Sequence, residues 1–314
     1  MVHYGDSQPL QACLHSILED PSPVHREIAV ADNSANLAVS DLPTGVRYLP
    51  LPENPGFGAG LHRALESLEK ARREEQHPPF QAYILLNHDV CLAPGYLSAA
   101  ICALYPEESE APSQGQQLIA AAAGPLYLDE SKTQLWYAGG SVRPLLGIVQ
   151  QSRNPQDALR PRDVSFLTGA ALAVNPRIFA TVGGFDEGIF LYNEDLDLSL
   201  RWIRGGYRLR FAPRLIATHR LGSATGSAQR SALYLEEITA SRFRPFRPFL
   251  LRLWLACLHS AYLVLRILRL WAPPNAFSMS KTRALLRGYR RALAKLHHPP
   301  RVIGSDSLPR DLAL

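Results

Sequence analysis

The order of short apolar stretches along the first hundred residues restricts the fold more than any other feature of this chain. Residues 26–31 and 46–49 have the length and composition of buried strands, and 82–86 is apolar throughout. Between and after them, 7–19, 58–75 and 94–104 carry helical spacing. Ser7 can cap the first of these helices with Pro9 in its first turn, and His77-Pro78-Pro79 stops the second. With residues 1–4 as the end of one more strand, the order is β-α-β-β-α-β-α. That order predicts an α/β fold built on an open, mostly parallel sheet with helices on both faces. Residues 106–165 read as irregular and rich in Gly and Pro. Strands follow at 169–174, 207–211 and 215–218, with a helix at 194–204 closed by Gly205-Gly206.

Ligands of open α/β sheets sit beyond the carboxyl ends of the strands. Four polar clusters fall there: His3-Tyr4-Gly5, Asp32-Asn33-Ser34, Asn87-His88-Asp89 and His219. Each alone reads equally well as turn chemistry; all four together point to a ligand. The glycine-rich turn at 54–60 opens a helix, and its amides suit a phosphate-bearing group. Close packing explains the same glycines equally well. Leu61 stands where a dinucleotide fingerprint needs its third glycine, which excludes that motif. The densest charge is Glu194, Asp195 and Asp197. Asp197 is accounted for by the helix N-terminus and by Arg201 four residues on. Adjacent Glu194 and Asp195 repel and point in different directions, so a general base is the sharper reading of that pair.

Charge is unevenly spread. Residues 1–237 hold 19 Lys and Arg against 26 Asp and Glu, a net −7, and residues 238–314 hold 14 against 2, a net +12. The division predicts an acidic domain at 1–237 and a basic helical, membrane-associating extension at 238–314. In 249–271, 18 of 23 residues are apolar. A central Arg costs ~2.5–3.5 kcal/mol on insertion scales, so a helix lying in the membrane interface is favoured over one that spans it. Arg252, His259 and Arg266 recur every seven residues, which predicts one cationic face among the lipid headgroups. A second helix, 281–296, sets Leu285, Leu286, Tyr289, Leu293 and Leu296 against Arg283, Arg287, Arg290, Arg291 and Lys295. Each cation near an anionic leaflet contributes ~1 kcal/mol. The alternative is a helical lid drawn to the acidic body. No nucleic-acid module is present, so nucleic acid is not an expected partner. Cys13, Cys91, Cys102 and Cys257 form no close pair, and the first six residues lack the basic and apolar segments of a secretory signal. The expected location is cytoplasmic, peripheral on the inner face of the cytoplasmic membrane.

A set of motifs runs in order through roughly residues 1–225: His3-Tyr4-Gly5, Ala31-Asp32-Asn33-Ser34, Asn54-Pro55-Gly56-Phe57-Gly58-Ala59-Gly60, Leu86-Asn87-His88-Asp89-Val90, Thr168-Gly169-Ala170-Ala171, Gly183-Gly184-Phe185-Asp186-Glu187, Tyr192-Asn193-Glu194-Asp195-Leu196-Asp197-Leu198 and His219-Arg220-Leu221-Gly222-Ser223. This set resembles the family 2 glycosyltransferases of the GT-A fold, in their bacterial rhamnosyltransferase-like branch. The resemblance implies inverting transfer of a sugar, rhamnose or similar, from a nucleotide-diphosphate donor. The acceptor it implies is a hydroxyl of a cell-envelope glycan, lipid-linked or of lipopolysaccharide type. It further implies that Tyr4 and Asp32 hold the base and ribose, and that Asn54, Phe57 and Gly58 close the nucleotide pocket. Asp89 matches the second carboxylate of the family's Asp-x-Asp motif, with Asn87 in place of the first acid, a change usual in this branch. Asp89 and His219 would then hold Mg²⁺ or Mn²⁺ on the diphosphate. Asp195 matches the catalytic base, with Glu194 beside it near the acceptor. Family members carry several apolar residues before the Tyr4 position, so either the first strand is short here or the start lies upstream. The competing reading is a non-catalytic relative that binds sugar nucleotide or scaffolds glycan assembly; the intact Glu194-Asp195 pair argues against it.

Overall fold

The computed structural model describes residues 1–106, 117–220, 232–271 and 279–298. The last three residues of the His219 motif, 221–223, lie outside that range. Through residue 104 the elements follow the predicted order except for one added strand, Val90–Leu92. They are β1 (Val2–His3), α1 (Gln8–Leu18), β2 (Ile28–Asp32), β3 (Val46–Pro50), α2 (Phe57–Glu74), β4 (Tyr83–Leu86), β5 (Val90–Leu92) and α3 (Tyr96–Leu104). Apolar side chains pack on both sides of the strands: Leu10, Leu14 and Leu97 in one layer, and Leu61, Leu65, Phe179 and Trp202 in the other.

The stretch read as irregular departs from expectation. It holds β6 (Ile119–Ala123), β7 (Leu126–Tyr127), β8 (Leu135–Tyr137), β9 (Gly140–Arg143), β10 (Ile148–Gln151) and β11 (Arg162–Val164). Strand β6 is central to a five-stranded sheet and wholly buried. Its sequence, Ile-Ala-Ala-Ala-Ala, has helical rather than strand propensity. Burial of small side chains between packed layers overrides that local preference. Next come β12 (Ala171–Val174), α4 (Pro176–Val182), α5 (Glu194–Arg204), β13 (Arg208–Phe211) and β14 (Ala217–His219). Helix α4 went unread although its signal is plain: the Asn175 side chain accepts the amides of Arg177 and Ile178, with Pro176 in the first turn.

The sheets run in the orders β1-β2-β3, β11-β13-β6-β12-β4 and β5-β14-β7-β8, with β9-β10 as a hairpin. A parallel bridge from Val2 to Asn87 joins the first to the end of β4. The expectation of a mostly parallel sheet is corrected. Among the described residues, besides that bridge, the parallel strand pairs are β1-β2-β3, β6-β13 and β7-β14, and the other six strand pairs are antiparallel. Among the described residues no α-helix lies between α3 and β12 to make crossovers, so the chain returns antiparallel. A cavity of about 500 Å³ opens between β2 and β4, lined by α2 on one side and by Leu97 and Ile101 on the other. None of the candidate site residues lines it.

Three helices end the described chain: α6 (Ala232–Ala240), α7 (Phe249–Trp271) and α8 (Met279–Ala294). Position 237 lies inside α6. Helix α8 crosses α6 closely at Gly288, where a Cβ would fall 2.3 Å from the Glu236 carbonyl oxygen. Arg287 and Arg291 pair with Glu236 and Glu237, so part of the basic charge is spent inside the molecule. At Arg252 and His259 helix α7 is turned opposite to expectation; the Arg266 side chain lies outside the described residues. Arg252 and His259 face the protein: Arg252 donates to the His298 carbonyl at 3.1 Å, and the His259 ring lies 3.0 Å from the Leu146 carbonyl. Those buried polar groups need protein partners, which the tail and the β9-β10 tip supply. The exposed face is instead apolar, with Leu250 at 77% and Leu265 at 62% exposure beside Trp254, Tyr262, Val264 and Leu268. No helix among the described residues is long and apolar enough to cross a membrane.

Candidate active site

Strands β1 and β2 end side by side and lock a polar loop between them. The Gly5 amide donates to Ser34 Oγ at 3.1 Å, and the Asn36 side chain donates to the Gly5 carbonyl at 2.7 Å. Asp32 organises this loop. Its Oδ1 accepts the Ser34 amide and hydroxyl, and its Oδ2 accepts the Leu37 amide and the Tyr48 hydroxyl, at 2.9–3.2 Å. Four accepted bonds fill the capacity of a carboxylate. Burial works to raise the Asp32 carboxyl, but these bonds and nearby His3 hold it below the usual range. Tyr4, 53% exposed, stands free at the rim.

The glycine-rich turn is explained by close approach. Gly56, at φ 96°, sits where a Cβ would fall 2.2 Å from the Phe190 carbonyl oxygen, and Phe57 donates its amide to that oxygen at 3.0 Å. A Cβ on Gly58 would meet the Phe185 ring at 2.9 Å. Asn54 holds a positive φ of 44°, and its side chain accepts the Gly56 amide at 3.4 Å. Phe57 reaches the edge of the next cluster, since a Cβ on Gly169 would lie 3.9 Å from its ring.

That cluster is one connected set of contacts. Asp195 Oδ2 accepts the Gly169 amide at 3.1 Å, and the Ala170 carbonyl accepts the Asn87 amide at 3.0 Å. The Asn87 side-chain nitrogen lies 3.5 Å from His219 Nε2, which is itself 3.1 Å from Asp89 Oδ1. Thus Asn87, Asp89, Asp195 and His219, 132 residues apart at the extremes, converge at the carboxyl ends of β4 and β14. Trp136, in the middle of β8, packs edge-on against the His219 ring at 4.9 Å.

The two carboxylates on α5 differ from ordinary ones. Burial, and then the charge of Asp195, pushes the Glu194 carboxyl well above its usual range. Burial raises Asp195 too, partly offset by the amides of Gly169 and Leu196. The Glu194 Oε2 is buried without a hydrogen-bond partner. The pair therefore shares charge poorly, and a proton is retained there at a pH where free carboxylates have lost theirs. Asp197 behaves as read: it is buried, pairs with Arg201 at 2.8 Å, and is also met by Arg247 at 3.3 Å.

As a metal centre the donor set is small. Among the described residues no group of three or more His, Cys, Asp or Glu forms a ready cage. Asp89 and His219 still lie together as one carboxylate and one imidazole, and His219 Nδ1 is buried without a hydrogen-bond partner. Two protein ligands suit a divalent ion that takes its remaining ligands from substrate phosphates and water.

No family model matches the chain. An N-acetylglucosaminyl-diphospho-decaprenol L-rhamnosyltransferase of Mycobacterium tuberculosis is 31% identical to it over 242 residues, covering 72% of this chain and 76% of the relative. Rhamnosyltransferase WbbL of Escherichia coli is 26% identical over 231 residues, covering 70% and 81%. Among solved structures, the mannosyltransferase PcManGT from Pyrobaculum calidifontis, in complex with GDP-Man and Mn²⁺, superposes with a TM-score of 0.50 at 14% identity, covering 93% of this chain and 85% of that one. That likeness shows the GT-A fold.

Proposed function

This chain belongs to the family 2 glycosyltransferases, as a relative of the bacterial rhamnosyltransferases, and from that premise we propose that it transfers rhamnose, with inversion, from a nucleotide-diphosphate donor to a diphospho-polyprenol-linked sugar. The carrying observation is the contact chain from Asp195 through Gly169, Ala170 and Asn87 to His219 and Asp89. It sets a candidate base and a candidate metal pair within one site.

The residues divide the work by chemistry. Asp195 takes the proton of the acceptor hydroxyl as it attacks, a role typically worth ~10²–10⁴-fold in rate. Its raised carboxyl favours it as a base near neutral pH. Glu194, protonated beside it, limits charge repulsion with Asp195. Asp89 and His219 would hold Mg²⁺ or Mn²⁺, which when bound supplies Lewis-acid neutralisation of the diphosphate leaving group. An acidic catalytic domain has few cations of its own for that task. Asn87 orients His219. Tyr4 offers its ring to the base, and Asp32 shapes the base and ribose pocket through the loop it holds. Asn54, Phe57 and Gly58 close the nucleotide side.

Residues 1–237 form the transferase part in this reading and 238–314 the part that meets the membrane. The support is the apolar outer face of α7 beside a mixed face on α8, where Arg283, Leu286, Arg290 and Leu293 are exposed. Apolar groups entering the acyl boundary with cations at the headgroups fit an interfacial helix pair, peripheral on the cytoplasmic leaflet. A lipid-linked acceptor needs its enzyme at that surface. The test is release of dTDP from dTDP-L-rhamnose, made dependent on N-acetylglucosaminyl-diphospho-polyprenol in detergent micelles with Mn²⁺ or Mg²⁺. Asp195→Asn should lose it while retaining donor binding.

A further inference from the structure

The turn that presents Glu194 and Asp195 is held in an unfavourable backbone conformation. Tyr192 and Asn193 take φ of 64° and 67°, both in the left-handed region, and neither is glycine. For a Tyr this region is disfavoured sterically and persists only where surrounding structure imposes it. Asn193 is also the N-cap of α5, a position where an Asn side chain ordinarily accepts an amide of the first turn. It makes no such bond. Its Nδ2 instead donates to Ser241 Oγ at 2.8 Å and to the Ile238 carbonyl at 3.3 Å. Ser241 in turn donates to the Glu237 carbonyl at 2.9 Å, and the Tyr192 ring packs edge-on against Tyr234 at 4.9 Å. Both strained residues are therefore anchored to α6 and the turn that follows it. The capping role of Asn193 has been given up for that anchorage.

We propose that Asn193, tethered to Ser241, is a positioning residue that fixes the direction of the Asp195 carboxylate. Through it the C-terminal helices take part in catalysis. The inference rests on the assignment of Asp195 as base. One residue, Glu194, separates the tether from Asp195, and the same turn delivers Asp195 Oδ2 to the Gly169 amide. Without the tether the turn relaxes toward ordinary backbone, Asn193 returns to capping α5, and Asp195 turns away from Gly169. Among the described residues, Ser241 bonds to Asn193 and to the Glu237 carbonyl, away from Asp89, His219 and the loop at 32–37 to which the proposed function gives the donor. Loss of the tether should therefore act on the chemical step and leave donor binding alone.

The experiment compares Ser241→Ala and Asn193→Gly with the unaltered chain and with Asp195→Asn. It uses dTDP-L-rhamnose and N-acetylglucosaminyl-diphospho-polyprenol in micelles. Glycine at 193 keeps the left-handed backbone without strain but removes the tether; Ser241→Ala removes only the hydroxyl, and decides the matter alone if the glycine variant does not fold. The proposal predicts a kcat on the order of tenfold to a hundredfold lower in each, a donor KM within about twofold, and faster hydrogen exchange at the Gly169 amide. Unchanged kcat and unchanged Gly169 exchange would overturn it. So would a lower kcat accompanied by a raised donor KM and a lowered Tm, which marks a merely structural role. Asp195→Asn keeps the two readings apart: transfer retained by that variant removes the base assignment, whereas a dead Asp195→Asn beside a fully active Ser241→Ala removes only the tether.

Discussion

Arg244 donates Nε and Nη2 to the two oxygens of Asp186 at 2.9 and 2.7 Å, and both side chains are buried. The pair keys the segment between α6 and α7 into the catalytic body. Gly188 makes room for it, since a Cβ there would fall 2.0 Å from the guanidinium carbon. Removing one partner of a buried pair leaves the other charge uncompensated. Arg244→Met should therefore destabilise by about 3–5 kcal/mol. Replacing both partners with apolar residues should cost much less. Urea denaturation of the single and double variants measures the difference.

Asp89 and His219 are expected to act together on the donor. Asp89→Ala and His219→Ala should each weaken donor binding in the presence of Mn²⁺ and make it insensitive to EDTA. Calorimetric titration with dTDP-L-rhamnose, with and without chelator, checks this. Unchanged binding in both conditions would rule out the metal role.

Glu194 carries a pH dependence whose sign is fixed. Burial first, and the Asp195 charge second, raise its carboxyl above the unfolded value, which is about 4.3. The native state then holds the proton more tightly than the unfolded state does. Stability should be greatest below the unfolded pKa and decline as pH rises toward the native one. Glu194→Gln removes that decline. Its Tm advantage over the parent chain should grow from pH 4 to pH 8, as followed by thermal unfolding across that range.

The exposed face of α7 should carry membrane affinity. Leu250→Asp and Leu265→Asp remove apolar groups that interfacial insertion would bury. Each removal is worth roughly 1.5–3 kcal/mol, tenfold or more in partition. Co-sedimentation with anionic vesicles measures it, with helicity by circular dichroism as the control for folding.

The sequence made the scaffold's first half legible because each strand and helix there obeys its own period and is bounded by Ser, Pro or Gly. Ile119–Ala123 defeated that reasoning, since its alanines become a strand only through tertiary burial. The polar clusters were legible as strand-end residues. Their specific contacts were not, because the approach of Asn87 to His219 depends on β12 and β14 lying beside β4 and β5. The orientation of α7 was misread for a related reason. A seven-residue repeat of Arg and His marks a face, but does not say whether that face meets lipid or carbonyl oxygens of the same chain. The His298 carbonyl and the Leu146 carbonyl at the β9-β10 tip decide it, and neither contact leaves a period in the sequence. The tether of Asn193 to Ser241 leaves no mark in the sequence, because it joins residues 48 apart that only the fold brings together.

The most direct test of the central claim is acceptor-dependent release of dTDP from dTDP-L-rhamnose by the full chain, with N-acetylglucosaminyl-diphospho-polyprenol and Mn²⁺ present. Rapid release that yields a rhamnosylated lipid, and that is lost in Asp195→Asn, is the predicted result. Release that ignores the lipid, or a rhamnosylated product still made by Asp195→Asn, would contradict the account.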